Sequence, residues 1–337
     1  MDFVPDLTPS ADDDADLDHD DACPHGGSPQ ECSHGEIPES CHTSGEASHC
    51  THSAVNLLGV GKVNPDRRDE EVEDTYRLHR RFDRMGRLVG DEKMALLMAS
   101  HVTVIGLGGV GSMVVESLVR SGIGHLTLVD FDRVCVTNSN RQLQAMRGTV
   151  GKRKAEVLGE RVRAINPQAR VDVVCRFYDA HSADELLRDA TFVVDAIDNV
   201  TAKLHLLANC RSRGIPVVSC TGAAGRMDPT AIKVADLADT EGDRLAHIMR
   251  KHLRQRYNFP RKGPFGIPAV YSTEPQIEPV ELHYDHGEGF RCVCPGGTND
   301  LHSCDSRNII YGTASWVTGS FGLIAASVVV RKILGMM

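Results

Sequence analysis

The stretch VTVIGLGGVGS, residues 102–112, is a short β-branched run that ends in a glycine cluster and leads into an apolar periodic segment. That is the pattern of a buried strand turning through Gly106, Gly108, Gly109 and Gly111 into a helix. Residues without Cβ there let phosphates approach backbone N–H groups at the positive helix end. Four more apolar runs follow: HLTLVDFD, ARVDVVCRF, ATFVVDAID and IPVVSCT, with helical stretches of suitable length between the first of them. Strands alternating with helices predict an α/β protein with a doubly wound, mostly parallel, Rossmann-like sheet. Before the glycine run, the segment from Val72 to Ser100 reads as an amphipathic helical approach.

The glycine loop fixes a nucleotide and little else, because an NAD enzyme carries the same loop and an acidic residue, here Asp130, about 20 residues on. The next residues separate the alternatives. LVDFDRVCVTNSNRQ supplies Asp130, Asp132, Asn138, Asn140 and Arg141, and VGKRKAE places Lys154 near the start of the following helix. Attack of a carboxylate on the α-phosphate of ATP needs positive charge over the phosphates, which Arg141 and Lys154 can supply, and Mg²⁺ held by oxygen ligands. Hydride transfer needs neither. Asp198, in VVDAIDN at the end of the fourth run, is the metal-ligand candidate. Its neighbour Asp195 reads equally as a helix cap, a loop carboxylate or a functional group.

In order and spacing, RFDRMGRLVG, GLGGVGS, DFDxVxxxNxNRQ, VGKxKAE, INP and DAIDN resemble the ubiquitin-activating-enzyme superfamily. The resemblance implies that Gly106, Gly108, Gly109 and Gly111 cradle ATP and Asp130 holds the ribose. It also implies that Asn138, Arg141 and Lys154 contact phosphates and Asp198 holds Mg²⁺. The match to Arg84 implies a homodimer in which this arginine reaches the partner's ATP site; without it, Arg84 reads as a solvated helix charge. The paired CxxC motifs usual in adenylyltransferases for ubiquitin-like sulfur carriers are missing. NSNRQ, GAAGRMDPTAIKVADLADTEGDRLAHIMRKHLRQR, YSTE at Tyr271–Glu274 and TGSFGLIAAS are similar to the tRNA threonylcarbamoyladenosine dehydratases. That likeness implies ATP-dependent closure of N6-threonylcarbamoyladenosine, beside the tRNA anticodon, to a hydantoin. Activation of a ubiquitin-like or sulfur-carrier protein remains the alternative. Bacterial relatives often carry a cysteine where this chain has Ala269, so a thioester route through that position is excluded here. A sulfur-transfer partner protein stays compatible with this family resemblance.

From Arg244 to Lys262 there are seven Lys or Arg and no acid, with Tyr257 and Phe259 interleaved. Such a run suits phosphate contacts and base stacking on tRNA, or simply a solvated helix face. Around it, residues 231–305 read as a loop-rich insertion or cap. The uncharged run Ile309–Val330 is 22 residues long. Its glycines, serines and threonines favour a buried helix closing the core over a membrane span.

Residues 1–61 hold 13 Asp or Glu and no Lys or Arg, so the net charge of −9 splits into −13 there and +4 in the remainder. The resulting division is 1–61 as a disordered acidic Cys/His-rich extension, 62–236 as an ATP-binding domain, and 237–337 as its C-terminal part. Within the extension, Cys23, Cys32, Cys41 and Cys50 recur every nine residues beside His25, His34, His42 and His52. Such a repeat could hold zinc, as could Cys292, Cys294 and Cys304 with His302, although solvated tail and reduced loop thiols are the simpler readings. Cysteines scattered through apolar runs, with no secretory leader, point to an intracellular, cytoplasmic protein. Association with mitochondria, seen for some eukaryotic members of the family, stays compatible with the apolar C-terminal run.

Overall fold

The computed structural model describes residues 80–280, 282 and 311–337, all within the unit Asp66–Met337. The acidic extension, its Cys/His repeat, and Cys292, His302, Cys294 and Cys304 lie outside them.

All five expected strands form. They are β1 (His101–Ile105), β2 (His125–Val129), β3 (Arg170–Val174), β4 (Phe192–Asp195) and β5 (Val217–Cys220), mutually parallel in the order β3-β2-β1-β4-β5. The chain starts in the middle, winds outward to β3, then returns to the other side of β1. The crevice between β1 and β4 is therefore the topological switch point, where such sheets take ligands at their carboxyl ends. Connections run through α3 (Gly109–Arg120), α4 (Lys154–Ile165), a single turn α5 (Ala183–Leu186) and α6 (Val200–Ser212). Helices cover both faces, so Val102, Val104, Leu126, Leu128, Val193 and Val194 are all fully buried.

Three expectations change. The helical approach is broken where the chain turns at Gly90 (φ 84°), giving α1 (Asp83–Val89) and α2 (Asp91–Ala99). The supposed loop-rich segment contributes two strands, β6 (Ile232–Asp236) and β7 (Pro268–Ser272). β7 extends the parallel sheet beside β5, with Ser219 opposite Ala269, and β6 closes the edge antiparallel to β7. One carboxylate organises the return to β7: Asp236 accepts N–H bonds from Ala238, Phe265, Gly266 and Ile267. Between these strands lies α7 (Arg244–Arg256), capped by Asp243, whose Oδ1 accepts from Ala246 N. Finally Asp195 is neither cap nor loop residue. It is fully buried, 2.8 Å from Lys203 Nζ, and accepts from the Ser219 hydroxyl at 2.6 Å; Asn199 caps α6 instead.

The apolar C-terminal run becomes α8 (Ser315–Ile333), which lies along α3 and over β4, β5 and β7. A Cβ on Gly322 would stand 2.5 Å from Val110 O and 2.7 Å from Met113 Cβ, so the two helix backbones touch. Phe321, Ala325, Ala326, Val328 and Val329 join Val104, Val114 and Leu118 in the main core. This helix is long and apolar enough to cross a membrane, but more than half of its apolar window, 56%, is buried against the sheet and α3.

Candidate active site

The glycine loop joins β1 to α3 at the switch point. Gly106 has φ 89°, and a Cβ there would lie 2.5 Å from Ala196 O; one on Gly111 would collide with Gly106 O. Loop, β4 exit and helix start thus share one space that no larger residue could enter. Leu107 N–H donates to Asp130 Oδ2 (2.7 Å) and Asp132 N–H to Asp130 Oδ1 (2.8 Å). The expected ribose ligand is therefore also the pin that ties the loop to β2, and each oxygen keeps one lone pair for a hydroxyl. Burial pushes the Asp130 carboxyl up from its ordinary range, against the pull of Lys154.

Lys154 opens α4, is 6% exposed, and reaches Asp132 Oδ2 at 2.9 Å. A bridge between Arg133 and Arg153 holds the two segments side by side. Burial works against the ammonium, but Asp130 and Asp132, with Asp198 beyond them, outweigh it and hold Lys154 above its ordinary value. It is charged at any physiological pH. Asp198 is exposed three residues past β4, and no hydrogen bond or ion pair engages it among the described residues. An open carboxylate near the Lys154 ammonium is a fitting donor for Mg²⁺, which takes one or two carboxylates with substrate phosphates and water.

Asn138 is buried in a single 3₁₀ turn, where its Oδ1 accepts from Cys135 N–H (3.0 Å), so it shapes the loop that carries Arg141. Arg141, half-buried, donates to Thr137 O and Asn140 Oδ1, and its Cγ flanks Gly109. Arg84 stands apart from this cluster on α1, its side chain 95% exposed beside Asp83. Sequence reasoning missed Gln144, Thr318 and the partner of Asn140 among the supports of the site. Buried Gln144 donates to Leu107 O (2.6 Å), Asn140 donates to Thr313 O (2.9 Å), and Thr318 of α8 packs against Gly109. Asn140 stands in the NSNRQ run, Gln144 lies two residues beyond it, and nothing in an apolar helix signalled Thr318.

The basic run forms α7 and the turn after it. Arg250, Lys251, Arg254 and Arg261 line an open basin of 1020 Å³ with His247 and Asn258. Phe259 is not available for stacking on a base. It is 4% exposed, lies edge-on to Phe265 at 4.9 Å, and carries the Arg211 guanidinium over its ring at 4.4 Å. Tyr257 packs, half-buried, against the same cluster. The run is amphipathic, and its aromatics belong to the apolar side.

Residues 82–336 match the ThiF family. The chain is 45% identical over 264 residues to the tRNA threonylcarbamoyladenosine dehydratase of Haemophilus influenzae, covering 77% of this chain and 95% of the relative. It is 36% identical over 137 residues to the molybdopterin-synthase adenylyltransferase of Salmonella typhimurium, covering 41% of this chain and 54% of that enzyme. Among solved structures, E. coli tRNA N6-threonylcarbamoyladenosine dehydratase, TcdA, in complex with ATP superposes with a TM-score of 0.65 at 38% identity. The match covers 76% of this chain and 95% of that one, as it does for the complex with AMP.

Proposed function

The chain belongs to the ThiF family and, within it, to the tRNA threonylcarbamoyladenosine dehydratases, and from that premise we propose that it uses ATP to cyclise N6-threonylcarbamoyladenosine beside the anticodon of tRNA. One threonyl carboxylate oxygen attacks the α-phosphorus, the bond to pyrophosphate breaks, and an acyl-adenylate forms. The adenine N6 nitrogen then attacks the activated carbonyl, closing a five-membered hydantoin ring and expelling AMP. The oxygen lost from the substrate leaves in AMP, so the modified base is lighter by one water. Ring closure needs no new molecular encounter, which removes much of its entropic barrier.

The observation that carries this reading is the buried, charged Lys154 between Asp132 and Asp198 at the mouth of the glycine loop. In the proposed roles, Gly106, Gly108, Gly109 and Gly111 bring backbone N–H groups and the α3 dipole to the phosphates, and Asp130 takes the ribose. Lys154 and Arg141 neutralise charge developing between the α-phosphate and pyrophosphate, with Asn138 and Asp132 fixing their placement. Asp198 would hold Mg²⁺, which would supply Lewis-acid stabilisation of the phosphate oxygens. Arg84, exposed on α1, is the residue offered to a partner's ATP site in a homodimer.

No enzyme thiol is required. Burial pushes Cys210 and Cys220 up to about 12 and raises Cys175, so at neutral pH none of these three offers a thiolate. Nucleoside mass spectrometry of modified tRNA treated with enzyme and ATP is expected to show the adduct lose one water with stoichiometric AMP. AMP release that instead requires a protein ending in Gly-Gly would replace this reading with the adenylyltransferase one.

The α7 basin is proposed to hold the tRNA backbone. Lys251→Ala and Arg261→Ala, both exposed, should raise KM for tRNA with kcat nearly unchanged. Each should flatten the salt dependence of binding by about 1 in slope for every phosphate that it no longer neutralises. Filter binding at a series of salt concentrations measures this, and an unchanged slope in both variants rules the basin out.

A further inference from the structure

A second, smaller pocket of 260 Å³ lies between the loop after β5 and the start of α7, lined by Gly222, Arg226, Asp243, Arg244, Leu245, Ile248, Gln276 and Tyr311. Its centre is a buried ion pair. Arg226 is 3% exposed and Asp243 fully buried, with Nη2 to Oδ2 at 3.4 Å. Asp243 is satisfied at both oxygens: Oδ1 caps α7 and Oδ2 also accepts from the Thr221 hydroxyl. Arg226 is not. Its Nε leans on Gly222 O at 3.3 Å, but buried Nη1 has no hydrogen-bond partner among the described residues. A buried guanidinium nitrogen left unpaired costs stability unless a ligand satisfies it. With Arg244 on the same wall, two cations face one already occupied carboxylate, so the pocket suits an anion.

Size and position identify the anion. The pocket falls below the range of about 300–1,000 Å³ typical of whole small-molecule sites, so it accepts a side chain rather than a nucleotide. Leu245 and Ile248 give it an apolar patch that matches a methyl group. It also adjoins the ATP loop through one strip of chain. Gly312 O accepts from Gly225 N–H, Tyr311 lines the pocket, and Thr313, at most about 7 Å further along, accepts from Asn140 beside Arg141.

Building on the functional reading above, we propose that this pocket is the recognition subsite for the threonyl carboxylate, with Arg226 the residue that binds it. The carboxylate pairs with the Arg226 guanidinium at the pocket wall, beside the Tyr311–Thr313 strip that leads to the glycine loop. Arg226 thereby distinguishes tRNA carrying threonylcarbamoyl from tRNA that lacks it.

The test uses anticodon stem-loops with and without the N6-threonylcarbamoyl group, titrated into the full-length protein. Arg226→Gln, and Arg244→Gln on the exposed rim, are expected to lose about 10- to 100-fold of the preference for the modified stem-loop, the worth of a hydrogen bond to a charged group. ATP affinity should stay unchanged in both, which also certifies their folding. If the two variants keep the preference, the subsite is wrong. Equal weakening toward both stem-loops also overturns it, because the pocket would then hold a backbone phosphate. A wild-type chain that never dehydrates modified tRNA defeats the functional reading itself, and this subsite with it.

Discussion

Turnover of modified tRNA is expected to fall by about 10²- to 10³-fold when Lys154 is replaced by alanine, the scale seen when one preorganised donor is removed from a charged transition state. The reason is geometric as well as electrostatic. Lys154 is almost wholly buried, is fixed by Asp132 at 2.9 Å, and sits on the first residue of α4, so no solvent cation can take its place in the same position. Arg141 flanks Gly109 with its Cγ, and its Nη1 is already held by Thr137 O and Asn140 Oδ1, so it supplements Lys154 without replacing it. Lys154→Arg should recover little, because the larger planar head does not fit a site shaped around a compact ammonium. The measurement is single-turnover AMP formation, with circular dichroism to show that the fold persists. Retention of more than about a tenth of wild-type rate by Lys154→Ala would remove this residue from the chemistry.

The largest effect on stability is expected at Lys203, whose ammonium is spent inside the core. Lys203 and Asp195 are both completely buried, and Asp195 is also held by Ser219 and Ile197 N–H. Lys203 Nζ in turn donates to Ile197 O at 3.0 Å, which ties α6 to the β4 exit just ahead of Asp198. Lys203→Ala strips a buried carboxylate of its counter-charge and opens a cavity, a change that costs about 3–5 kcal/mol. Burial already pushes the Asp195 carboxyl upward, with Lys203 first among the groups resisting it. The orphaned acid should therefore take up a proton. A folded-state value raised above the unfolded one means the folded protein binds the extra proton, so the variant should regain stability as pH falls toward the acid's unfolded value and lose it as pH rises. Urea denaturation at several pH values reads both the loss and its slope. Asp195→Asn combined with Lys203→Met removes both charges and should recover much of the deficit; a double variant no better than Lys203→Ala would mean that packing, not charge, accounts for the cost.

The parts of this architecture that could be read in advance are those whose residues serve one purpose. β1 to β5 are buried on both faces, so their apolar runs are uninterrupted, and the glycines of the loop are required by backbone collisions that no side chain relieves. β6 and β7 escaped because an edge strand exposes Lys233 and Val234, and β7 follows a stretch of prolines and glycines that reads as turn. Phe259 was misplaced for a similar reason: amid so many basic residues it looks like a nucleic-acid platform, yet its ring is needed to seal the apolar cluster beneath Arg211. Asp195 and Asp198 stand three residues apart in one motif, and where the strand stops decides between them: Asp195 is the last residue of β4, buried against Lys203, while Asp198 lies exposed in the loop beyond. Arg226 gave no local signal, since its partner Asp243 lies 17 residues away across a strand that the sequence did not reveal.

The placement of α8 bears on how such a protein is made. This helix follows every described strand, yet it covers β4, β5 and β7 beside α3 and presses Thr318 against Gly109. A ribosome-bound chain that has already extruded β1 to β7 still has an open groove where Phe321 and Val329 belong. Its glycine loop also lacks one wall. Vectorial synthesis therefore delays nucleotide binding until α8 has emerged, and a nascent or prematurely terminated product, apolar along that groove, is a substrate for chaperones or proteases before it can consume ATP.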